Sequence, residues 1–201
     1  MSNPYAPPTS TDLPAASGEP PGPLDMSINP ASVEDATLLL ARLGAPPRLL
    51  RHVALVSEAG ERLLGLAAEL DLPINATLVR VGIVLHDAGK ILVSAELDAS
   101  GGEHEPLGQD LLLKQGVSPA LARICLSHAR WSEMAVSLEE LLVALSDKLW
   151  KGVRNAQLEE RVINEAAKAL KRDPWDLFVQ LDSLFEDVAA GGTARLEQSR
   201  V

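Results

Sequence analysis

The sequence predicts an all-α fold, a single-domain helical bundle, on three observations. Apolar residues recur at the three- and four-residue spacing of a helix. Valines and isoleucines rarely alternate with polar residues, so no strand pattern emerges. Capping and breaking residues bracket segments of helical length. Ser32 followed by Asp35 reads as an N-cap, and Gly44 with Pro46-Pro47 stops that first helix. A second helix runs from about Pro47 to Leu70 and ends at the Asp71-Leu72-Pro73 turn. A third spans about Ala76 to the Asp87 region and closes at Gly89. Residues 92 to 103, with Gly101-Gly102, read as a loop. The fourth covers about Glu105 to Gln115, stopped by Gly116, and Ser118-Pro119 opens a fifth that reaches about Arg130. Ser137 with Glu140 forms a capping-box start for a sixth, to about Gly152. A seventh spans about Gln157 to Lys171. Asp173-Pro174 opens an eighth, with Phe178, Leu181 and Phe185 on one stripe and Leu177 and Leu184 flanking it. Gly191-Gly192 ends that helix.

The domain boundaries follow. Residues 1–30 hold eight of the 14 prolines and read as a disordered Pro-rich tail. Residues 31–190 form the helical domain, and 191–201 read as a frayed C-terminal tail.

Composition excludes several function classes. Lys+Arg is 18 against Asp+Glu 28, a net charge of −10, which argues against a duplex nucleic-acid binder. A single cysteine, Cys125, excludes an intramolecular disulfide framework and a multi-cysteine zinc site, and the residue reads as buried and inert. No apolar run approaches the roughly 20 residues of a membrane span, and no secretory leader is evident. A cytoplasmic protein without a membrane partner is the expectation; the oligomeric state is not legible.

The chemistry lies in the four histidines. His52 shares a helix face with Leu49, Leu55 and Val56, and His128 with Leu121, Ile124 and Cys125. His86 follows Val79 and Ile83 on an apolar helix, and only His104, between Glu103 and Glu105, has polar neighbours. Asp87 has Ile83 and Val84 one turn before it; Asp147 has Val143 and Ala144 in the same relation. A buried, uncompensated carboxylate costs several kcal/mol. One or two divalent cations in the middle of the bundle would compensate both carboxylates, with imidazoles completing the ligand set. Such ligands suit Fe, Mn, Co, Ni or Zn rather than Ca.

The ordered set His52, His86-Asp87, His104, His128, Asp147 resembles the metal-binding signature of the HD-domain superfamily of metal-dependent phosphohydrolases. Leu85-His86-Asp87-Ala88-Gly89-Lys90 is similar to that family's H-D-x-G-K segment. Leu50-Arg51-His52-Val53 resembles its first histidine motif, and His104-Glu105-Pro106-Leu107-Gly108 its H-x-x-x-G helix start. Leu145-Ser146-Asp147-Lys148-Leu149 is similar to the closing A-D-x-L segment. The resemblance covers residues 48 to 152. It implies an HD-type bundle in which His52, His86, Asp87 and Asp147 hold a first metal, with Asp87 as bridge. His104 and His128 then hold a second ion, as in the two-metal branch. Asp87 and Lys90 are the implied catalytic residues. Lys90 also contacts substrate phosphate in similar proteins, or else is a solvated lysine at the helix C-terminus. Arg130, Lys148, Lys151 and Arg154 form a candidate basic rim, and Trp131 is a candidate base-stacking residue.

The resemblance implies a stand-alone hydrolase of a phosphate ester or anhydride in a small, nucleotide-like substrate, working through water activated by two divalent ions. The same six ligands also occur in mixed-valent di-iron oxygenases of this fold, and a non-enzymatic HD-like regulator is the third reading. Ala88 replaces the more usual isoleucine beside the ligands. No G-Y-P segment follows the His-Asp pair, which counts against the cyclic-di-GMP phosphodiesterase branch.

Overall fold

The computed structural model describes residues 29–99 and 101–199. All of the Pro-rich tail except Asn29 and Pro30 therefore lies outside the described residues. Pro30 is buried, and the Asn29 side-chain carbonyl accepts from the Ser118 backbone N–H at 3.4 Å.

Ten α-helices and two 3-10 turns make up the described residues, with no strand among them. The chain is all-α. α1 (Val33–Arg42) starts at Ser32, whose hydroxyl accepts from the Asp35 N–H at 3.1 Å. α2 (Pro47–Glu69) starts on Pro47, whose missing N–H costs nothing at a helix N-terminus. α3 (Ala76–Leu85) is capped by Asn75. α4 is His104–Lys114, α5 Pro119–Ala122 and α6 Ile124–Arg130. α7 (Leu138–Leu149) carries the Ser137/Glu140 capping box in full. α8 (Ala156–Leu170), α9 (Trp175–Ala190) and α10 (Gly192–Gln198) complete the chain.

α7 is the central helix. It packs against α2, α3, α6 and α8, and Leu141, Val143, Ala144, Leu145 and Leu149 are completely buried. α3 crosses it where Gly82 faces Val143 and Ile124; a Cβ there would stand 2.7 Å from the Ile124 side chain. α8 and α9 cover the far side, with Leu158, Leu177 and Phe185 fully buried.

Four features differ from the sequence reading. α3 stops at Leu85, before Asp87, and a 3-10 turn (Ala88–Ile91) follows. Residues 92 to 103 include a second 3-10 turn, Ser94–Leu97. The helix expected from Pro119 to Arg130 is two pieces, broken at Arg123, whose carbonyl takes both the Leu126 and Ser127 N–H groups at 2.9 Å. In α9, Phe178 lies off the buried stripe and is 40% exposed; Leu177, Leu181, Phe185 and Val188 form that stripe instead.

The C-terminal segment is a fifth difference. It is a helix, α10, rather than a frayed end. Gly192 touches the turn after α7 so closely that a Cβ would lie 2.6 Å from the Lys151 carbonyl carbon. The Arg195 guanidinium donates to the carbonyls of Trp150 at 2.7 Å and Leu149 at 3.1 Å, and also to that of Val188. Gly191-Gly192 ends α9, as the sequence indicates, and Gly192 also lets α10 sit against the turn after α7.

Candidate metal centre

Adjacent residues of an α-helix point about 100° apart, so His86 and Asp87 could not both face one point from a continuous helix. The change from α to 3-10 geometry resolves this. Asp87 sits between the two elements with φ −104° and ψ 18°, and its carboxylate turns into the same space as the His86 imidazole. The 3-10 turn is pressed onto the first turn of α4. A Cβ on Gly89 would lie 2.7 Å from both the Gly108 nitrogen and the His104 carbonyl carbon. The glycines of the H-D-x-G-K and H-x-x-x-G segments therefore face each other, and their contact brings His104 up to Asp87.

Asp87 is the hub. Its Oδ2 lies 2.9 Å from His52 Nε2 and 3.4 Å from His86 Nε2. Its Oδ1 lies 3.1 Å from His104 Nε2 and 3.8 Å from His128 Nε2. One carboxylate thus faces two pairs of imidazoles, one pair per oxygen. The ligand atoms of His52, His86 and Asp87 all lie within 4.8 Å of one another, as do those of Asp87, His104 and His128. Asp147 stands at the edge, its Oδ1 3.8 Å from His86 Nε2. Trp150 Nε1 donates to that Oδ1 at 3.3 Å, and Lys148 and Lys151 donate to Oδ2, each at 3.3 Å. Lys90 Nζ reaches Asp87 Oδ2 at 2.7 Å.

The donor set fits divalent cations. His52 Nε2, His86 Nε2 and Asp87 Oδ2 are buried and converge at 2.9–3.4 Å, and none of these close contacts has hydrogen-bond geometry. Groups in that condition are costly unless something else compensates them. The far sides of the rings are already engaged. His86 Nδ1 donates to the Ile83 carbonyl at 2.6 Å and His128 Nδ1 to the Ile124 carbonyl at 3.1 Å. That places the proton on Nδ1 and leaves each Nε2 lone pair directed at Asp87, the tautomer a metal requires.

Electrostatics separate the imidazoles: burial lowers all four, but the Asp87 carboxylate outweighs it at His86 and His104 and raises both. Burial, reinforced by the neighbouring His86, pushes His128 down to about 4, so it is neutral near pH 7. Burial also lowers His52. Burial pushes the Asp87 carboxyl up, but the surrounding imidazoles of His86, His104 and His52 outweigh it and hold Asp87 well below the carboxylate range. Asp147 is likewise raised by burial and lowered further by Lys151 and His86.

The centre opens into a cleft of about 550 Å³, lined by Arg48, Lys90, Glu96, Lys148, Trp150 and Lys151 beside the cluster itself. Leu196 and Ser199 of the C-terminal segment close one side. His104, expected in a polar setting, is buried. Three of the expected substrate-contacting residues lie elsewhere. Arg130 is held by Glu105 at 2.7 Å and does not line the cleft. Trp131 is buried in the core, its carbonyl taken by Arg161, so its ring offers no face to a ligand. Arg154 is tied to Glu159 and Asp182 on the α8–α9 side. Three cleft residues were missed. Arg48, four residues before His52, shares its helix face, a spacing that could have identified it. Trp150 packs edge-on against His52, centroids 4.8 Å apart, and carries an i+3 relation to Asp147. Glu96 lies in a stretch with no periodicity and left no signal.

Comparison with known proteins places this arrangement. The HD domain family model matches residues 49–151, just over half of the chain. A tRNA (cytidine(56)-2'-O)-methyltransferase of Thermoplasma volcanium is 30% identical over 148 residues, covering 66% of this chain and 40% of that protein. The chain thus spans well under half of that relative's length. No solved structure matches. No helix among the described residues is long and apolar enough to cross a membrane. The chain belongs to the HD domain family, a superfamily of metal-dependent phosphohydrolases.

Proposed function

We propose that this chain hydrolyses a phosphate ester or anhydride of a small, nucleotide-like molecule at a two-metal centre. The observation that carries the reading is the Asp87 carboxylate, with one oxygen toward His52 and His86 and the other toward His104 and His128. His52, His86, Asp87 and Asp147 would hold one divalent ion, and Asp87, His104 and His128 the other. Ions bound there would supply water activation and charge neutralisation on the phosphoryl group.

The protein supplies the rest. Lys90, Lys148 and Lys151 place three ammonium groups on the cleft wall, suited to the non-reacting oxygens of a phosphorylated ligand. The buried Trp150 indole and the α7 backbone hold Asp147 in place. A cleft of about 550 Å³ lies within the range of small-molecule sites. The name of the Thermoplasma relative concerns tRNA; a net charge of −10 favours a single nucleotide over a polyanionic strand here.

The test is metal content by elemental analysis, followed by phosphate release from a nucleotide panel in air and without oxygen. Wild-type protein should carry about two transition-metal ions, and Asp87→Ala should lose both metal and turnover. Full metal content and turnover in Asp87→Ala would refute the site. Turnover that requires oxygen and iron would replace hydrolysis with oxygenase chemistry.

A further inference from the structure

We propose that Glu96 is a positioning residue for the His104 half of the centre, and that binding of the ion on that half depends on it. The inference rests on the two-metal reading above. Glu96 sits on the 3-10 turn Ser94–Leu97, and its carboxylate gathers three donors from the start of α4. The Glu103 N–H donates to Oε1 at 3.1 Å, the His104 N–H to Oε2 at 3.3 Å, and His104 Nδ1 also to Oε2. The last contact leaves His104 Nε2 aimed at Asp87 Oδ1, 3.1 Å away.

The imidazoles of His86 and His128 are backed differently: they lean on the backbone carbonyls of Ile83 and Ile124. Those carbonyls are fixed by the helices that carry the rings. His104 is the first residue of its helix, so its own helix offers no carbonyl upstream of it, and a carboxylate from another segment does the work. A carboxylate behind an imidazole fixes tautomer and ring orientation and raises its basicity as a ligand.

The turn is itself secured. Arg48 donates to the Leu97 carbonyl at 3.3 Å and pairs with Asp98. On the opposite side Gly101 lies so close that a Cβ would stand 2.8 Å from Glu96 Cγ. The Glu96 side chain is only 10% exposed, although its segment is otherwise open to solvent. Arg48, the turn and Glu96 therefore form one chain of contacts from α2 to His104.

The test uses the full chain, stripped with chelator and titrated with manganese, alongside imidazole ¹⁵N NMR of the metal-free protein. Wild type should take up about two ions and His104→Ala about one. Glu96→Ala should keep the first ion, weaken the second by roughly 10–100-fold and free the His104 tautomer to exchange. Glu96→Gln still accepts from Nδ1 and should restore most of both signals. Arg48→Ala, which leaves the carboxylate in place, should weaken the second ion by a smaller factor. Glu96→Ala that binds both ions as wild type does, with the His104 resonances unchanged, would overturn the proposal, as would a loss of thermal stability with no change in either readout. Wild type that binds at most one ion, with His104→Ala no different, would sink the two-metal reading instead. The NMR comparison would then decide Glu96 alone.

Discussion

Gly89→Ala tests whether the contact between the 3-10 turn and α4 builds the centre. The added methyl would lie 2.7 Å from the Gly108 nitrogen and the His104 carbonyl carbon, where ordinary contact begins at 3.4 Å. Both neighbours are backbone atoms, so no rotamer change can make room. The turn and α4 must separate by more than the 0.7 Å difference between those two distances, because the His104 carbonyl oxygen lies closer still. Overpacking of this kind typically costs about 1–3 kcal/mol, and a backbone-on-backbone clash belongs at the upper end. At about 2–4 °C per kcal/mol for a domain of this size, the melting temperature should fall by roughly 6–12 °C. Gly65→Ala is the control. Gly65 is exposed within α2, and nothing lies within 4 Å of its would-be Cβ. Alanine there should stabilise by about 0.5–1 kcal/mol. The same one-methyl change thus carries opposite signs at the two sites. Thermal unfolding followed by circular dichroism reads both, and elemental analysis reads the metal. Gly89→Ala should also lose metal on the His104 side, because that residue rides on the displaced helix. A Gly89→Ala protein that melts with wild type and keeps its full metal complement would refute the reasoning.

Further outcomes follow from other contacts. Cys125 is fully buried, its thiol donates to the Leu85 carbonyl at 3.3 Å, and burial pushes its pKa far up. It should resist a thiol-reactive disulfide at pH 8 and react stoichiometrically in guanidinium; fast reaction in the native protein would contradict the packing. Arg195→Ala removes the donor to the Leu149 and Trp150 carbonyls and so loosens α10, whose Leu196 lines the cleft. Steady-state kinetics on the substrate identified should show KM rising more than kcat falls, and an unchanged KM would mean that α10 does not shape the site. Trp150 packs against His52, whereas Trp131 lies in the core away from the cleft. Adding nickel or cobalt should therefore quench fluorescence in Trp131→Phe but much less in Trp150→Phe.

What the sequence revealed and what it hid divide along a physical line. The caps at Ser32 and Ser137 act within one turn, so local reading recovers them. His52, His86, Asp87, His128 and Asp147 were legible from apolar neighbours one turn away in sequence, while His104, with polar neighbours, enters the set only through the resemblance to the metal-binding signature. Glu96 was not legible, because its partner lies eight residues away across a stretch with no period. Arg130 misses the cleft by phase, since a residue two beyond the inward-facing His128 rotates away from the site, whereas Trp131, three beyond, turns into the apolar core rather than the cleft. Arg48, at i−4 from His52, keeps the right phase. Gly191-Gly192 reads rightly as the end of α9, but its second role is hidden, since a glycine that also permits a close approach looks the same in sequence as one that only ends a helix.

The two halves of the centre differ in charge, and this predicts an order of loading. Asp87 is shared, one oxygen to each side. The His52–His86 side has a second carboxylate, Asp147, facing the cluster itself, with Oδ1 3.8 Å from His86 Nε2. The His104–His128 side has its second carboxylate, Glu96, one imidazole further out. A directly facing anion attracts a divalent cation more strongly than one screened behind a ring, because Coulomb attraction falls with distance. Lys148 and Lys151 partly neutralise Asp147 but do so through Oδ2, leaving Oδ1 to Trp150 and the cluster. The first ion should therefore bind on the His52–His86 side. Calorimetric titration of metal-free protein with manganese should resolve two steps, the second weaker. Asp147→Asn should diminish the first step, bringing the two together, while His104→Ala should abolish the second and spare the first. A single step of two equivalent ions, unaffected by Asp147→Asn, would show that the unequal placement of the outer carboxylates does not govern affinity.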